Sequence, residues 1–178
     1  MRWLKVSFQR IESSILPSLS MPVSSLPIPA HYGLRENAVF PDIQVLDMDT
    51  QQPTAFELNL RESVVLITLL GCQSCEQTLK QMKIYNFNAF EFDMVVLTFL
   101  YPGVYYAEDK IARHNAFLKA LSISKKFIVL EEAINQLEIT SFPTLMRISP
   151  DGKVIGTYLA DAHQIAPHFQ SSGIDIAS

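Results

Sequence analysis

Two nearly continuous apolar runs dominate the chain, Val64–Leu70 and Met94–Leu100. Both are short, rich in β-branched residues and free of alternating polar positions. That pattern predicts strands buried on both faces, as at the centre of a parallel sheet. Between them Glu76–Tyr85 reads as a helix, with Leu79 and Met82 facing inward and Lys80 and Lys83 outward. Strand, helix and strand at this spacing form a βαβ unit with a right-handed crossover.

The flanking patterns extend the same architecture. Ile43–Asp47 and Thr54–Leu58 predict two short strands around the turn residues Asp49–Pro53. Glu108–Leu121 predicts a helix that packs through Ile111, Phe117, Leu118 and Leu121. His114 lies beside Arg113 and is expected on its solvated surface. Phe127–Leu130 predicts a short strand, and Glu131–Leu137 a short helix with acids at its start. Thr144–Ile148 and Val154–Leu159 predict a hairpin around Pro150-Asp151-Gly152-Lys153. Asp161 is expected to cap a last helix reaching about Phe169.

The amino-terminal part follows different rules. Leu4, Phe8, Ile11 and Ile15 stand at helical spacing among Arg2, Lys5 and Arg10. Pro17, Pro22, Pro27 and Pro29 then alternate with serines, which reads as an extended linker. Glu12, Ser13 and Ser14 interrupt the apolar stretch that a secretory signal needs, and no run of about 20 apolar residues is present for a membrane span. Any membrane association is therefore expected through this basic segment alone. The expected organisation is a basic amphipathic segment and linker over 1–36, one domain over 37–170, and a tail over 171–178.

Composition narrows the function. The chain has 178 residues, 48% of them hydrophobic, enough for one real core. Its formal charge of −4 argues against nucleic acid as a partner. Two cysteines cannot make a disulfide scaffold or a four-cysteine zinc site. The histidines at 31, 114, 163 and 168 are not placed near the cysteines by the sequence, so no metal is expected. No other cofactor is called for.

Cys72-Gln73-Ser74-Cys75 follows Gly71 between a buried strand and a helix. The thiolate is the reactive form of cysteine, and unpaired N–H groups at a helix start favour it. Two intervening residues let Cys75 reach the first sulfur one turn on. Cys72 is thus the expected nucleophile and Cys75 the resolving thiol, with Gln73 and Ser74 modulating them. Pro143, at the start of a predicted strand, is a natural site for a cis bond. Such a bond would leave the backbone of Phe142 open to an extended substrate segment.

Together these pieces resemble the thioredoxin-like superfamily, in its redoxin branch of TlpA/ResA-type thiol–disulfide oxidoreductases. The resemblance rests on Phe40-Pro41-Asp42-Ile43, Cys72-Gln73-Ser74-Cys75, Ile139–Thr144 and Ser149–Val154 followed by Gly156. It covers roughly Val39–Phe169. It implies an α/β fold with a central mixed four- to five-stranded sheet flanked by helices, plus an extra amino-terminal β-hairpin. It also implies a redox-active dithiol, a cis-proline at Pro143, disulfide-containing protein substrates, a redox partner protein and an extracytoplasmic setting. The chain departs from the family in three places. Gly71 stands where a tryptophan is usual, Val64–Leu70 carries no acid, and Glu76 only approximates the glutamate found after the second cysteine. The absent tryptophan and the absent strand acid motivate an alternative expectation, an interaction or assembly module with little redox turnover.

Overall fold

The computed structural model describes residues 31–58, 61–84, 93–101, 108–129 and 132–160. The amino-terminal segment to residue 30 and the helix expected after Asp161 lie outside these residues. Seven strands form one sheet: β1 (Gln44–Asp47), β2 (Pro53–Ala55), β3 (Ser63–Leu69), β4 (Asp93–Phe99), β5 (Lys125–Val129), β6 (Thr144–Ile148) and β7 (Val154–Leu159). Among the described residues three helices accompany them: α1 (Gln73–Ile84), α2 (Glu108–Ala120) and α3 (Glu132–Gln136).

The strand order is β2-β1-β5-β4-β3-β6-β7. β3, β4 and β5 run parallel, whereas β6 and β1 pair antiparallel at either side of this trio. The class is α/β with a mixed sheet, as the apolar runs predict. The expected amino-terminal hairpin and four- to five-stranded sheet form one continuous sheet of seven strands. β1 bridges them by pairing with β5 through Val45–Asp47.

The alternation along β3 sorts the core into two layers. Val65 and Ile67 join Val95, Leu97 and Phe99 of β4 under Ala133 of α3 and Leu137 just after it. Val64 and Leu66 join Val96 under Leu79 and Met82 of α1 and Leu118 of α2. α1 and α2 thus cover one face and α3 the other. Two successive right-handed crossovers stepping in the same direction must land on the same face.

Element boundaries shift in instructive places. α1 begins at Gln73 rather than at Glu76, so Cys75 lies within its first turn. β2 is shorter than Thr54–Leu58, because it pairs with β1 only through residues 53–55. The largest correction concerns His114. It is 8% exposed, not solvated, because it sits on the inner side of α2 against β4.

Candidate redox site

β3 carries the chain to one edge of the sheet, where Leu70 N–H still bonds Phe99 O at 2.9 Å. Gly71 then turns with φ of +83°, a conformation that costs an L side chain but not glycine. Cys72 follows as the N-cap of α1. Its N–H bonds Leu69 O at 3.1 Å, and its carbonyl accepts Glu76 N–H at 3.2 Å. Its Sγ accepts Cys75 N–H at 3.2 Å, taking the part that a serine or aspartate oxygen plays at most helix starts. This cap draws Gln73 and Ser74 into the helix, where apolar periodicity gives no sign of one.

Cys72 and Cys75 are joined as a disulfide, with Cα atoms 5.3 Å apart. The two sulfurs sit in different surroundings. Cys72 is half-buried, while Cys75 is 2% exposed against the core. Ser74 Oγ lies 3.1 Å from Cys72 Sγ. A disulfide sulfur has no proton, so the serine hydroxyl is the donor. Gln73 is exposed at the first position of α1.

The Phe142–Pro143 peptide bond is cis. β6 pairs Thr144 with Ile67 of β3, so the residues before Thr144 run beside the end of β3, at the edge that holds the cysteines. The Phe142 ring packs on Phe99 with centroids 5.7 Å apart. Pro143 O accepts Ala160 N–H at 2.9 Å, and Ala160 O accepts the Thr78 hydroxyl at 2.9 Å. Thr78 lies one turn after Cys75 in α1, so these two bonds tie the cysteine helix to the proline segment. Neither Thr78 nor Ala160 stands out in the sequence.

On the other face a second feature escaped the sequence reading. Thr68 Oγ1 lies 3.1 Å from Thr98 Oγ1, which lies 3.1 Å from His114 Nε2. Thr68 also donates to Leu97 O. Each hydroxyl has one hydrogen, so Thr98 donates to Thr68, and His114 donates from Nε2 to Thr98. Burial pulls the His114 pKa below its ordinary value, opposed only in part by Glu76. In front of this chain lies a cleft of about 320 Å³, with Leu70, Gly71, Glu76, Lys80, Arg113 and His114 among its walls.

No family model and no curated relative matches the chain. Solved structures do. The thioredoxin domain of a thiol-disulfide oxidoreductase from Bacteroides vulgatus is similar, with a TM-score of 0.55 and 17% identity, over 76% of this chain and 98% of that one. So is a thiol:disulfide interchange protein from a Bacteroides species, with a TM-score of 0.55 and 16% identity, over 80% and 93%. A peroxiredoxin-like protein from Aquifex aeolicus shares the architecture at a TM-score of 0.52 and 13% identity, over 78% and 87%. At these identities the likeness concerns the fold. This chain has the thioredoxin-like fold, with a CxxC cysteine pair disulfide-bonded at the start of its first helix.

Proposed function

We propose that the protein is a thiol–disulfide oxidoreductase acting on protein disulfides. The observation that carries this reading is the Cys72–Cys75 disulfide at the cap of α1, with one sulfur half-buried and the other enclosed. In the reduced protein the Cys72 thiolate attacks one sulfur of a substrate disulfide. That S–S bond breaks, one substrate thiol leaves, and a mixed disulfide joins Cys72 to the substrate. Cys75, as thiolate, then attacks Cys72 Sγ and releases the second substrate thiol. Two electrons pass to the substrate and the Cys72–Cys75 disulfide remains. A partner dithiol protein resets it by the reverse exchange.

Three features support these roles. The unpaired N–H groups at the start of α1 favour Cys72 as thiolate. Ser74 and the Cys75 amide both point a proton at that sulfur. The Phe142–Pro143 segment lies just before β6, at the end of the sheet that holds the cysteines, where its backbone can pair with a substrate segment. We place the activity in an extracytoplasmic compartment, where substrate disulfides persist.

The test is to purify a Cys75→Ser protein and search for covalent complexes on non-reducing gels, alongside insulin reduction by the wild type. Trapped complexes that vanish with thiol reagents, and that Cys72→Ser abolishes, are expected. A wild type inert towards insulin whose Cys75→Ser form traps nothing would defeat the proposal.

A further inference from the structure

The Thr68–Thr98–His114 chain lies closer to the cysteines than its sequence positions suggest. Leu79 and Met82 of α1 share one core layer with Val64 and Leu66 of β3. α1 runs back against β3, and four helix residues rise about 6 Å where two strand residues rise about 6.6 Å. Stepping from Leu79 back to Cys75, and from Leu66 on to Thr68, therefore reaches the same level of that layer. From Thr68 the chain passes through Thr98 to His114 Nε2 in steps of 3.1 Å. Its hydrogens all point back towards Leu97 O, so the neutral ring carries its lone pair on Nδ1. His114 is also a wall of the cleft, together with Gly71, the neighbour of Cys72, and Glu76, the neighbour of Cys75. The charged groups around the ring are few. Glu76 and Lys80 face it from α1, and Lys110 and Arg113 from its own helix, while β3 and β4 present only Thr68 and Thr98. Lys80 stands over the Phe117 ring, and Arg113 pairs with Asp109. Burial keeps the ring neutral at pH 7 while the disulfide is intact, against the pull of Glu76.

We infer that His114 is the proton carrier of the dithiol, holding a proton while Cys72 is a thiolate and passing it to the substrate thiolate that Cys72 displaces. The inference rests on the redox reading above and adds a residue to it. His114 acts through its charge and the cleft's solvent, so it is a positioning residue. In the reduced protein a negative Cys72 Sγ replaces a neutral disulfide, and that charge holds a proton on Nδ1. When Cys72 breaks the substrate S–S bond, the first substrate thiolate leaves with this proton and the ring becomes neutral. Cys75 then gives its own proton to Nδ1 and attacks Cys72 Sγ. The second substrate thiolate leaves and takes that proton in turn. Two electrons and two protons have then passed to the substrate.

The test follows the His114 ring by NMR through a pH titration of the full-length protein, once oxidised and once reduced with dithiothreitol. His114→Gln identifies the signal by its loss. His114 should hold its proton about threefold more tightly in the reduced protein, the scale of a partly exposed charge pair. Linkage makes the effect reciprocal. The ultraviolet absorbance of the Cys72 thiolate should therefore show it ionising about threefold less readily in His114→Gln. Alkylation of Cys72 by iodoacetamide should slow to the same degree below pH 7 and match the wild type near pH 9, where the thiol ionises unaided. Glu76→Gln should loosen the His114 proton in both redox states alike and leave the ratio between them unchanged. A merely structural histidine would move none of these ratios. Equal titration of His114 in both states, or a Cys72 thiolate indifferent to His114→Gln, overturns the inference and leaves the redox reading intact. Neither measurement needs a substrate. A coupled histidine in a protein that reduces no insulin and traps no partner overturns the redox reading and, with it, the proton transfer to substrate.

Discussion

Gly71→Ala is the cleanest way to ask what the turn before Cys72 contributes. A Cβ at this position would meet nothing within 4 Å, so no clash confuses the result. What remains is the backbone, held at φ of +83°. An L residue in that region costs about 1–2 kcal/mol, and the stiffer unfolded chain returns a few tenths. The net loss should be about 1 kcal/mol, roughly fivefold in the unfolding constant. Gly152 provides the control, with φ of +78° and equally open space. Gly152→Ala should therefore lose the same stability. Only Gly71→Ala moves the cap of α1, so only it should slow insulin reduction. Gly71→Asn should recover part of both losses, as Asn37 already sits at φ of 66° here. Urea unfolding of the oxidised protein by circular dichroism, with parallel insulin assays, reads all three variants. The reasoning fails if Gly71→Ala unfolds like the wild type, or if both alanine variants slow the reaction equally.

Thr98→Val keeps the shape of the side chain but removes the acceptor of His114 Nε2–H, a loss of about 1–3 kcal/mol for an orphaned buried donor. Urea unfolding at pH 7.5 should show it, and a double-mutant cycle with His114→Leu should recover much of it. The lowered His114 pKa sets a pH slope. Below pH 6.5 the unfolded histidine takes a proton that the folded one refuses, so this contribution is complete above pH 6.5 and fades as pH falls towards the folded pKa. His114→Gln should flatten the wild-type decline in unfolding midpoint between pH 7 and 5. Asp49 is held well below the usual carboxylate range by Lys119 and Lys126. Lys126 is 3% exposed, with its Nζ 2.6 Å from Asp49. Asp49→Asn should therefore lower the urea midpoint far more than Lys119→Met, which removes only an exposed partner.

The legible parts of the sequence were those where one interaction dominates. Val64–Leu70 and Met94–Leu100 had to be interior strands, because nothing else buries a nearly continuous apolar run of this length so compactly. The Cys-x-x-Cys turn was legible because two thiols at that spacing share one chemistry. The start of α1 was not, since Gln73 and Ser74 enter the helix through a sulfur cap that leaves no apolar period. His114 was misread from its polar neighbour Arg113. Its spacing from Ile111 and Leu118 already put it on the inner stripe of α2. Thr68 and Thr98 looked like interruptions in apolar runs, and only the β3–β4 register makes them partners. The cleft was invisible for a related reason. Lys80 and Lys110 come from separate crossovers, and each alone looks like a solvated helix lysine.

One topological fact explains why the cysteines, the cis-proline and the cleft meet at a single edge. β3 and β4 are parallel, so both finish at the same end of the sheet. β6 runs antiparallel to β3, so it begins where β3 finishes and brings Phe142–Pro143 there. The alternation of β3 then divides the surroundings. Ile67 belongs to the layer against which Phe142 packs, whereas Thr68 joins the chain that leads to His114 and the cleft. The cysteine turn stands at the boundary between the two layers. On the proposed redox reading, a substrate strand laid along Phe142 would lie on one side of the cysteines, with the cleft on the other. Had β6 been parallel to β3, Pro143 would sit at the opposite edge, and the disulfide would have a helix cap but no cis-proline segment beside it.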